Sequence, residues 1–381
     1  MLQGDVTNPP LARDAFERTD ETGFLTQAAY LLVLGLQLRG NAPGQANLGE
    51  IIPEEDISAL GVPPLSPAPG RIDSERIRRS LASRFGNSVS AAIPAGEDVT
   101  WRSDTFAELA RDHFSEPTAA KAGSLMEACL RHPHELVRVA AAAAYHDRSS
   151  ELEKLIAILE QGTRSVDLLI RQLAATALAL VAPNHTRLSD LQRSAGRAAG
   201  AAGARAHTAM LIHGTFALGA AWWQPGGDFH SYLLQELRPD LYKSNDRFSW
   251  SGGYSDDARA LGADDLLRWV NSHNEQGLDL FTHSHGGSVA MLASNNGLQV
   301  GELVLLSCPV HVQKYQPNFS RVRKAVSIRV HLDLITLADR GGQRFKHPRI
   351  EENILPIWFK HSATHDPDVW KNSTYKIPAM L

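Results

Sequence analysis

Cysteine is nearly absent from this chain. Only Cys129 and Cys308 occur among its 381 residues, and they lie far apart in apolar surroundings. Two such residues support neither a disulfide framework nor a cysteine zinc site. A reducing compartment is therefore expected.

Long hydrophobic runs and a strong charge of either sign are also missing. The apolar stretch AAYLLVLGLQL is too short to span a bilayer, and the segment MLQGDVTNPPLARDAFERTDE before it has no signal-peptide core. The formal net charge is −4, which gives no electrostatic reason to expect nucleic acid or an anionic membrane as a partner. We expect a soluble, cytoplasmic protein without a transmembrane segment.

The chain is long and apolar enough for two domains, with 43% hydrophobic residues. A succession of amphipathic patterns over 125–181 predicts helices. Two of these patterns share an apolar-Arg pair and an Ala-Ala pair at an offset of 33 residues, which resembles a HEAT-type repeat. We predict a helical domain over 1–195. Because two repeats need neighbours to cover their end faces, this domain is a candidate surface for a homo-oligomer or a protein partner.

The pattern changes after residue 207. The Gly- and Ala-rich segment 196–206 is expected to be a linker, or a last turn of Ala-rich helix. Beyond it, the short runs TAMLIH, DRFSW, LDLFTH, ELVLLS, VSIRVHL and ILPIWF alternate with helix-length segments. Strands that alternate with helices predict right-handed crossovers and a mainly parallel sheet. The fold class of 207–381 is therefore α/β.

One stretch, FTHSHGGSV at 281–289, has a serine between two histidines and a glycine pair directly after them. An apolar run precedes it and a small-residue helix pattern follows, which predicts a strand, a tight turn and a helix. Such a turn would present Ser284 to a carbonyl group, with Gly286 and Gly287 leaving it room. The alternative is an ordinary turn serine.

The segment THSHG at 282–286 resembles the nucleophile elbow G-x-S-x-G of the α/β-hydrolase fold, with threonine in place of the first glycine. The segment LIHGTF at 211–216 resembles the oxyanion loop of the same family, where an HG pair follows a strand. The resemblance implies backbone N–H donors at Thr215 or Phe216 and at His285.

The family's chain order of serine, acid and histidine implies an acid after VSIRVHL and a histidine after ILPIWF. Asp333 and His361 stand at these two places. Asp339 is the alternative acid, because the apolar residues after Asp333 could continue the strand. His365 is the alternative base. The resemblance covers about 206–381.

Five further residues are expected to bind substrate or brace the loops around it: His213, Gly214, Trp222, Trp223 and His283. The two tryptophans either form an acyl-binding wall or pack in the core. A zinc site at the clustered histidines is the weaker reading, since neither HExxH nor a cysteine pair supports it. The resemblance requires no metal and no organic cofactor.

The resemblance implies a serine hydrolase that cleaves carboxylic esters of small molecules or lipids through an acyl-enzyme. In this reading Ser284 attacks, His361 moves the proton and Asp333 orients the imidazole. An amidase or a thioesterase would use the same triad. An interaction protein that uses its helical domain, with the hydrolase fold as a scaffold, is the alternative from another class.

Overall fold

The computed structural model describes most of the chain, namely residues 6–40, 48–66, 103–146, 151–193, 209–273, 275 and 277–381. The chain divides into two compact units, Met1–Ala182 with Leu337–Arg340 and Pro183–Thr336 with Gly341–Leu381. The linker predicted at 196–206 lies outside the described residues. Within the described ranges, no helix combines the length and the apolar character needed to cross a membrane.

The regular structure of the first unit is helical throughout the described ranges. Its main helices are α1 (Ala12–Ala15), α2 (Glu21–Arg39), α3 (Leu48–Ile51), α4 (Glu54–Leu60), α5 (Ser103–Ser115), α6 (Ala119–Cys129), α7 (Glu135–Tyr145), α8 (Leu152–Gly162) and α9 (Leu168–Val181). The helical pattern predicted over 125–181 is confirmed, since α6 to α9 account for it.

The two arginines of the sequence repeat make the same contact. Arg138 Nη1 donates to the carbonyl oxygen of His132 at 2.6 Å, six residues back. Arg171 Nη1 donates to the carbonyl oxygen of Ser165 at 3.0 Å, again six residues back. Each arginine therefore closes the loop in front of its own helix, so the sequence repeat is matched by a repeated contact.

The helix α2 is apolar on every side, and such a helix is stable only when other elements surround it. Asp20 caps its start by accepting a hydrogen bond from Gly23 N–H at 2.8 Å. Gly35 allows α7 to approach closely, because a Cβ there would lie 2.8 Å from the Cβ of Ala144. Helix α7, which carries one of the two repeat arginines, thus packs against the buried helix α2 of the same unit.

The second unit alternates strands and helices. Its elements are α10 (Thr186–Arg193), β1 (Ala209–Ile212), α11 (Asp228–Tyr232), α12 (Asp256–His273), β2 (Leu278–His283), α13 (His285–Asn295), β3 (Val300–Leu306), β4 (Val322–His331), α14 (Leu334–Ala338), β5 (Glu351–Trp358) and α15 (Pro367–Lys371). Helix α10 belongs to this second unit. The end of α14 belongs to the short segment Leu337–Arg340 that is assigned to the first unit.

The strands form one sheet in the order β1-β2-β3-β4-β5, and every neighbouring pair is parallel. This confirms the predicted α/β class with a parallel sheet. His283 at the end of β2 pairs with Leu306 at the end of β3, and His331 at the end of β4 pairs with Trp358 at the end of β5. Because these strands end level with their neighbours, the residues that follow them meet at one edge.

Both faces of the sheet are buried, as parallel sheets require. Met210 and Ile212 of β1 join one core cluster, whereas Leu211 joins the other. This alternation follows from the period of two along a strand. The first cluster includes Val289 of α13, and the second includes Trp370 of α15.

The strand predicted at DRFSW is wrong. Residues 246–250 are all described, and they form no ladder. Nearby, Leu241 forms a single isolated bridge with Ala209 of β1. Side chains hold this segment instead, since Phe248 and Trp250 are buried and Trp250 Nε1 donates to the carbonyl oxygen of His213 at 2.8 Å. The aromatic pattern that predicted a strand reflects burial of side chains alone.

Candidate active site

The carboxyl edge of the sheet concentrates backbone strain. Four strands are each followed at once by a non-glycine residue with positive φ: Ser284 (52°), Ser307 (46°), Leu332 (43°) and Phe359 (72°). A residue with a Cβ in this region of backbone space costs on the order of 1–3 kcal/mol and persists only where its surroundings enforce it. Such residues cluster at active sites and ligand-binding sites. This edge of the sheet is therefore the candidate active site.

Ser284 is the sharpest of these turns. Its φ of 52° and ψ of −132° separate β2 from α13, for which it is the N-cap residue. Its N–H donates to the carbonyl oxygen of Leu306 at 2.8 Å, and its carbonyl oxygen accepts from Gly287 N–H at 3.0 Å. The backbone on both sides of the serine is thus fixed, and the residue as a whole is 6% exposed.

The glycines after the serine are required by close packing. A Cβ at Gly286 would lie 2.6 Å from the carbonyl oxygen of His213, and one at Gly287 would lie 2.5 Å from Cys308 Sγ. Both distances are too short for real carbon contacts. Helix α13 therefore starts directly against the residues that follow β1 and β3.

Thr282 stands where the motif has its first glycine. Its hydroxyl group has a hydrogen-bond partner. It is fully buried, and its Oγ1 donates to the carbonyl oxygen of Val304 in the adjacent strand at 3.0 Å. The side chain thus adds a hydrogen bond between β2 and β3.

Asp333 and His361 form a buried pair at the same edge. His361 Nδ1 donates to Asp333 Oδ2 at 2.6 Å, and both side chains are 3% exposed. Asp333 Oδ1 also accepts from the backbone N–H groups of Ile335 and Thr336, at 2.9 and 3.1 Å. The carboxylate is thereby held from two sides.

The environment keeps this carboxylate ionised. Burial by itself raises the pKa of Asp333, but attraction to His361, the hydrogen bond from His361 and the bond from Thr336 N–H outweigh it and lower the pKa below the ordinary value. An ionised carboxylate only accepts hydrogen bonds. His361 must therefore carry its proton on Nδ1, which leaves Nε2 as the basic nitrogen.

His283 connects this pair to the elbow. Its ring lies edge-on to the ring of His361 with centroids 4.6 Å apart, and Ser284 is the next residue along the chain. Of the two predicted acids, Asp333 is the one that bonds to His361, and Asp339 is buried directly after α14.

His365 and Trp222 form the wall beside this cluster. The two rings stack with centroids 4.1 Å apart, and each also meets the ring of His283 edge-on. Desolvation, with His361 as a further cause, lowers the pKa of His365 to about 3. Desolvation also lowers the pKa of His283 well below its usual value, with His365 and His361 adding to the effect. Both rings are therefore neutral at pH 7.

His213, in the predicted oxyanion loop, and Trp223, after it, are buried in the core. The ring of His213 lies 4.6 Å from that of Trp223 and 5.8 Å from that of Trp250, and its Nδ1 bonds to the carbonyl oxygen of Gly214. Trp223 Nε1 donates to the carbonyl oxygen of Ala217. The two predicted tryptophans thus differ in position, with only Trp222 bordering the histidine cluster.

The HG loop touches the serine directly. A Cβ at Gly214 would lie 2.7 Å from Ser284 Cβ, so only glycine fits. Phe216 N–H already donates to the carbonyl oxygen of Gly252 at 3.0 Å. Thr215 N–H makes no backbone hydrogen bond within the part of the chain that the structure describes. Of the two predicted donors in this loop, Thr215 is the one whose N–H the backbone does not engage.

His285 is the first residue of α13, where N–H groups have no acceptor within the helix. Its side chain is anchored by Arg259, whose Nη2 donates to His285 Nε2 at 3.0 Å. Because a guanidinium only donates, Nε2 must be unprotonated, so Nδ1 carries the proton and donates to Ser288 Oγ at 3.2 Å. Arg259 itself is 4% exposed and also binds Asp256.

Sequence reasoning missed Arg259 and two other supporting residues. Gln343 Oε1 accepts the backbone N–H of Asp333 at 3.0 Å, and Gly252, at a φ of 65°, accepts that of Phe216. Neither has a motif of its own. The one available signal was the Asp256-Arg259 spacing on a predicted helix, which more often marks a solvated ion pair.

Comparison of the chain with protein-family models, curated proteins and solved structures found no match.

Proposed function

We propose that the second unit is a serine hydrolase that cleaves carboxylic esters through an acyl-enzyme intermediate. The observation that carries this proposal is the strained Ser284 at the same edge as a buried His361-Asp333 pair, with the basic nitrogen of His361 left unblocked by its acid. Nucleophile, base and orienting acid are the parts that this chemistry needs.

The proton path follows from the tautomer. As Ser284 Oγ forms a bond to the ester carbonyl carbon, its proton passes to His361 Nε2, and Asp333 stabilises the imidazolium through the 2.6 Å bond to Nδ1. The imidazolium then protonates the leaving alcohol as the ester bond breaks. Water repeats the sequence on the acyl-enzyme, and Ser284 recovers its proton when the acid leaves.

The carbonyl oxygen becomes negative in each tetrahedral intermediate. We assign the backbone N–H groups of Thr215 and His285 as its donors, and the start of α13 adds a favourable field. The bond from Arg259 to the His285 ring holds this residue from behind. Arg259 is therefore a positioning residue in the proposal.

We also propose the α/β-hydrolase fold for this unit. The supporting features are the all-parallel sheet, the turn between β2 and α13 at the serine, and the order of serine, acid and histidine after β2, β4 and β5. The helical unit is proposed as the surface for a homo-oligomer or a protein partner, with small-molecule or lipid esters as substrates.

A fluorophosphonate probe tests the proposal because it reacts only with an activated serine. We expect the wild type to be labelled at Ser284 and the variant Ser284→Ala to remain unlabelled. A panel of p-nitrophenyl esters of increasing chain length, compared with anilides and thioesters, then distinguishes an esterase from an amidase or a thioesterase. A folded wild type that neither reacts with the probe nor hydrolyses any of these compounds would refute the assignment.

A further inference from the structure

A cavity of about 520 Å³ opens at the other edge of the sheet, where the strands begin. Gly277 precedes β2, and Val300 and Val322 are the first residues of β3 and β4; all three line the cavity. The candidate active site follows the opposite ends of these strands. The cavity is therefore separate from the proposed hydrolase site.

Three arginines line this cavity: Arg321, Arg323 and Arg349. No acidic residue is among the lining residues. Arg321 Nη1 donates to the carbonyl oxygen of Gly297 at 2.9 Å, and Arg349 Nη1 donates to that of Phe319 at 3.1 Å. These acceptors are neutral, so they orient the guanidinium groups without cancelling their charge.

Other arginines of the same unit are neutralised. Arg238 pairs with Asp240 and Asp279, and Arg268 pairs with Asp265. Among the described residues, by contrast, no carboxylate lies within ion-pair distance of the three cavity arginines. Like charges held together repel, and an anionic ligand would remove that repulsion.

The carboxylate of Asp279 lies beside Gly301, which lines the cavity, and already has partners within the protein. A Cβ at Gly301 would lie 2.3 Å from Asp279 Oδ1 and 3.5 Å from Arg323 Nη2, so the glycine leaves the floor open. Asp279 Oδ1 accepts the backbone N–H of Glu302 at 2.6 Å, and Oδ2 pairs with Arg238 at 2.8 Å. Arg238 therefore offsets part of the charge of this carboxylate.

The rim is braced by stacked rings. The guanidinium of Arg349 lies over the ring of Phe319 at 4.7 Å, and Phe319 stacks on His347 with centroids 4.6 Å apart. This arrangement holds the Arg349 guanidinium in place, and no other described residue accepts from several of its N–H donors. A fixed guanidinium with spare donors binds phosphate oxygens with little ordering cost.

We propose that this cavity binds a small molecule through its phosphoryl group. Guanidinium groups match tetrahedral oxyanions in charge and hydrogen-bond geometry. The volume of about 520 Å³ also lies within the range of roughly 300–1,000 Å³ that is common for small-molecule sites. The phosphoryl group could belong to a soluble compound or to a lipid headgroup, and the experiment distinguishes the two.

Calorimetric titration of the full chain with inorganic pyrophosphate at low ionic strength is the first arm. We expect saturable binding that weakens as salt is added. The double variant Arg321→Gln, Arg349→Gln should weaken it at least about tenfold, because it removes two of the three guanidinium groups available to the phosphoryl oxygens. The matched control Arg268→Gln removes an exposed arginine elsewhere in the unit and should leave binding unchanged.

The variant Gln299→Glu tests the proposal even if the double variant does not fold, because it changes one exposed lining residue and keeps all three arginines. It should also weaken pyrophosphate binding, because the added carboxylate repels the anion.

In the second arm, flotation with phosphatidylcholine vesicles, with and without phosphatidic acid, tests the headgroup source. Binding to phosphatidic acid alone that Gln299→Glu abolishes would indicate a headgroup. The proposal is wrong if neither probe binds, or if binding is the same in Gln299→Glu as in the wild type.

Discussion

The two edges of the sheet differ in which residues take up left-handed backbone. Before β2 and β3, at the amino edge, the positive φ angles belong to Gly277 (64°) and Gly297 (122°). After the strands, at the carboxyl edge, they belong to residues with side chains, Ser284 among them. Glycine takes such angles almost without cost, whereas other residues lose about 1–3 kcal/mol.

The comparison shows where the fold retains strain. At the carboxyl edge the strained turns accompany buried, hydrogen-bonded polar groups, such as Asp333 and His361. Before β2 and β3 the positive φ angles fall on glycines, and the charges at this edge are exposed, as at Arg323 and Arg349. A rigid arrangement of acid and base needs a scaffold that tolerates local strain, whereas an anion site needs only well-placed cations.

The largest expected effect comes from the serine at the strained edge. Ser284→Ala should lower kcat for ester hydrolysis by roughly a thousandfold or more, because the nucleophile is lost. The control Ser320→Ala lies at the amino edge and should leave kcat unchanged. Steady-state kinetics with a p-nitrophenyl ester measure both. Full activity in a clean Ser284→Ala preparation would show that the carboxyl edge is not the site.

The two histidines near the elbow should differ sharply. His361→Ala removes the proposed base and should reduce kcat about as strongly as loss of the serine, since the two act as a unit. His365→Ala removes a ring that stacks on Trp222 and should change kcat by less than about tenfold. A larger loss in the His365 variant would move the role of base to that residue.

The two candidate acids provide a third contrast. Asp333→Asn should reduce kcat by about 10⁴-fold, because an amide no longer selects the tautomer with the proton on Nδ1. Asp339→Asn should have a much smaller effect on kcat. The opposite ranking would assign the acid to Asp339 and leave the rest of the mechanism unchanged. Circular dichroism of both variants checks that each is folded.

The carboxyl edge should also be the more sensitive to acid, and His213, which follows β1, tests this. Burial lowers the pKa of His213 from 6.5 to about 4. Between these values the unfolded chain binds a proton that the folded chain does not, so stability is complete above pH 6.5 and falls as pH falls. The slope from this one group approaches about 1.4 kcal/mol per pH unit.

Urea titrations at several pH values measure this effect. The variant His213→Phe should show a shallower loss of stability between pH 6.5 and 4 than the wild type, even if it is less stable at pH 8. Identical slopes in the two proteins would contradict the neutral, buried state of His213.

The smallest effect is expected at the relaxed edge. Gly277→Ala should lower the free energy of unfolding by about 1 kcal/mol, because its φ of 64° disfavours a Cβ although nothing lies within 4 Å of it. The matched control Gly49→Ala lies in a helix, also in open space, and should not destabilise. Urea titration measures both, and an unchanged kcat in Gly277→Ala would complete the contrast between the edges.

Periodicity along the chain predicted most elements correctly. The runs LDLFTH and ELVLLS became β2 and β3, and the helix-length segment before LDLFTH became α12. DRFSW was predicted wrongly, because buried aromatic side chains produce the same pattern with or without a ladder. That outcome depended on Trp250 bonding to the carbonyl oxygen of His213, which is distant in sequence.

The candidate site divides in the same way. The sequence alone determined the tight turn at Ser284, because neighbouring glycines and the change from strand to helix pattern are local properties. Only the tertiary structure decided that His361 bonds to Asp333, that Arg259 holds the ring of His285, and that arginines from separate segments share one cavity. Strand register and loop closure bring such residues together, and these depend on packing across the whole unit, which no short stretch of sequence records.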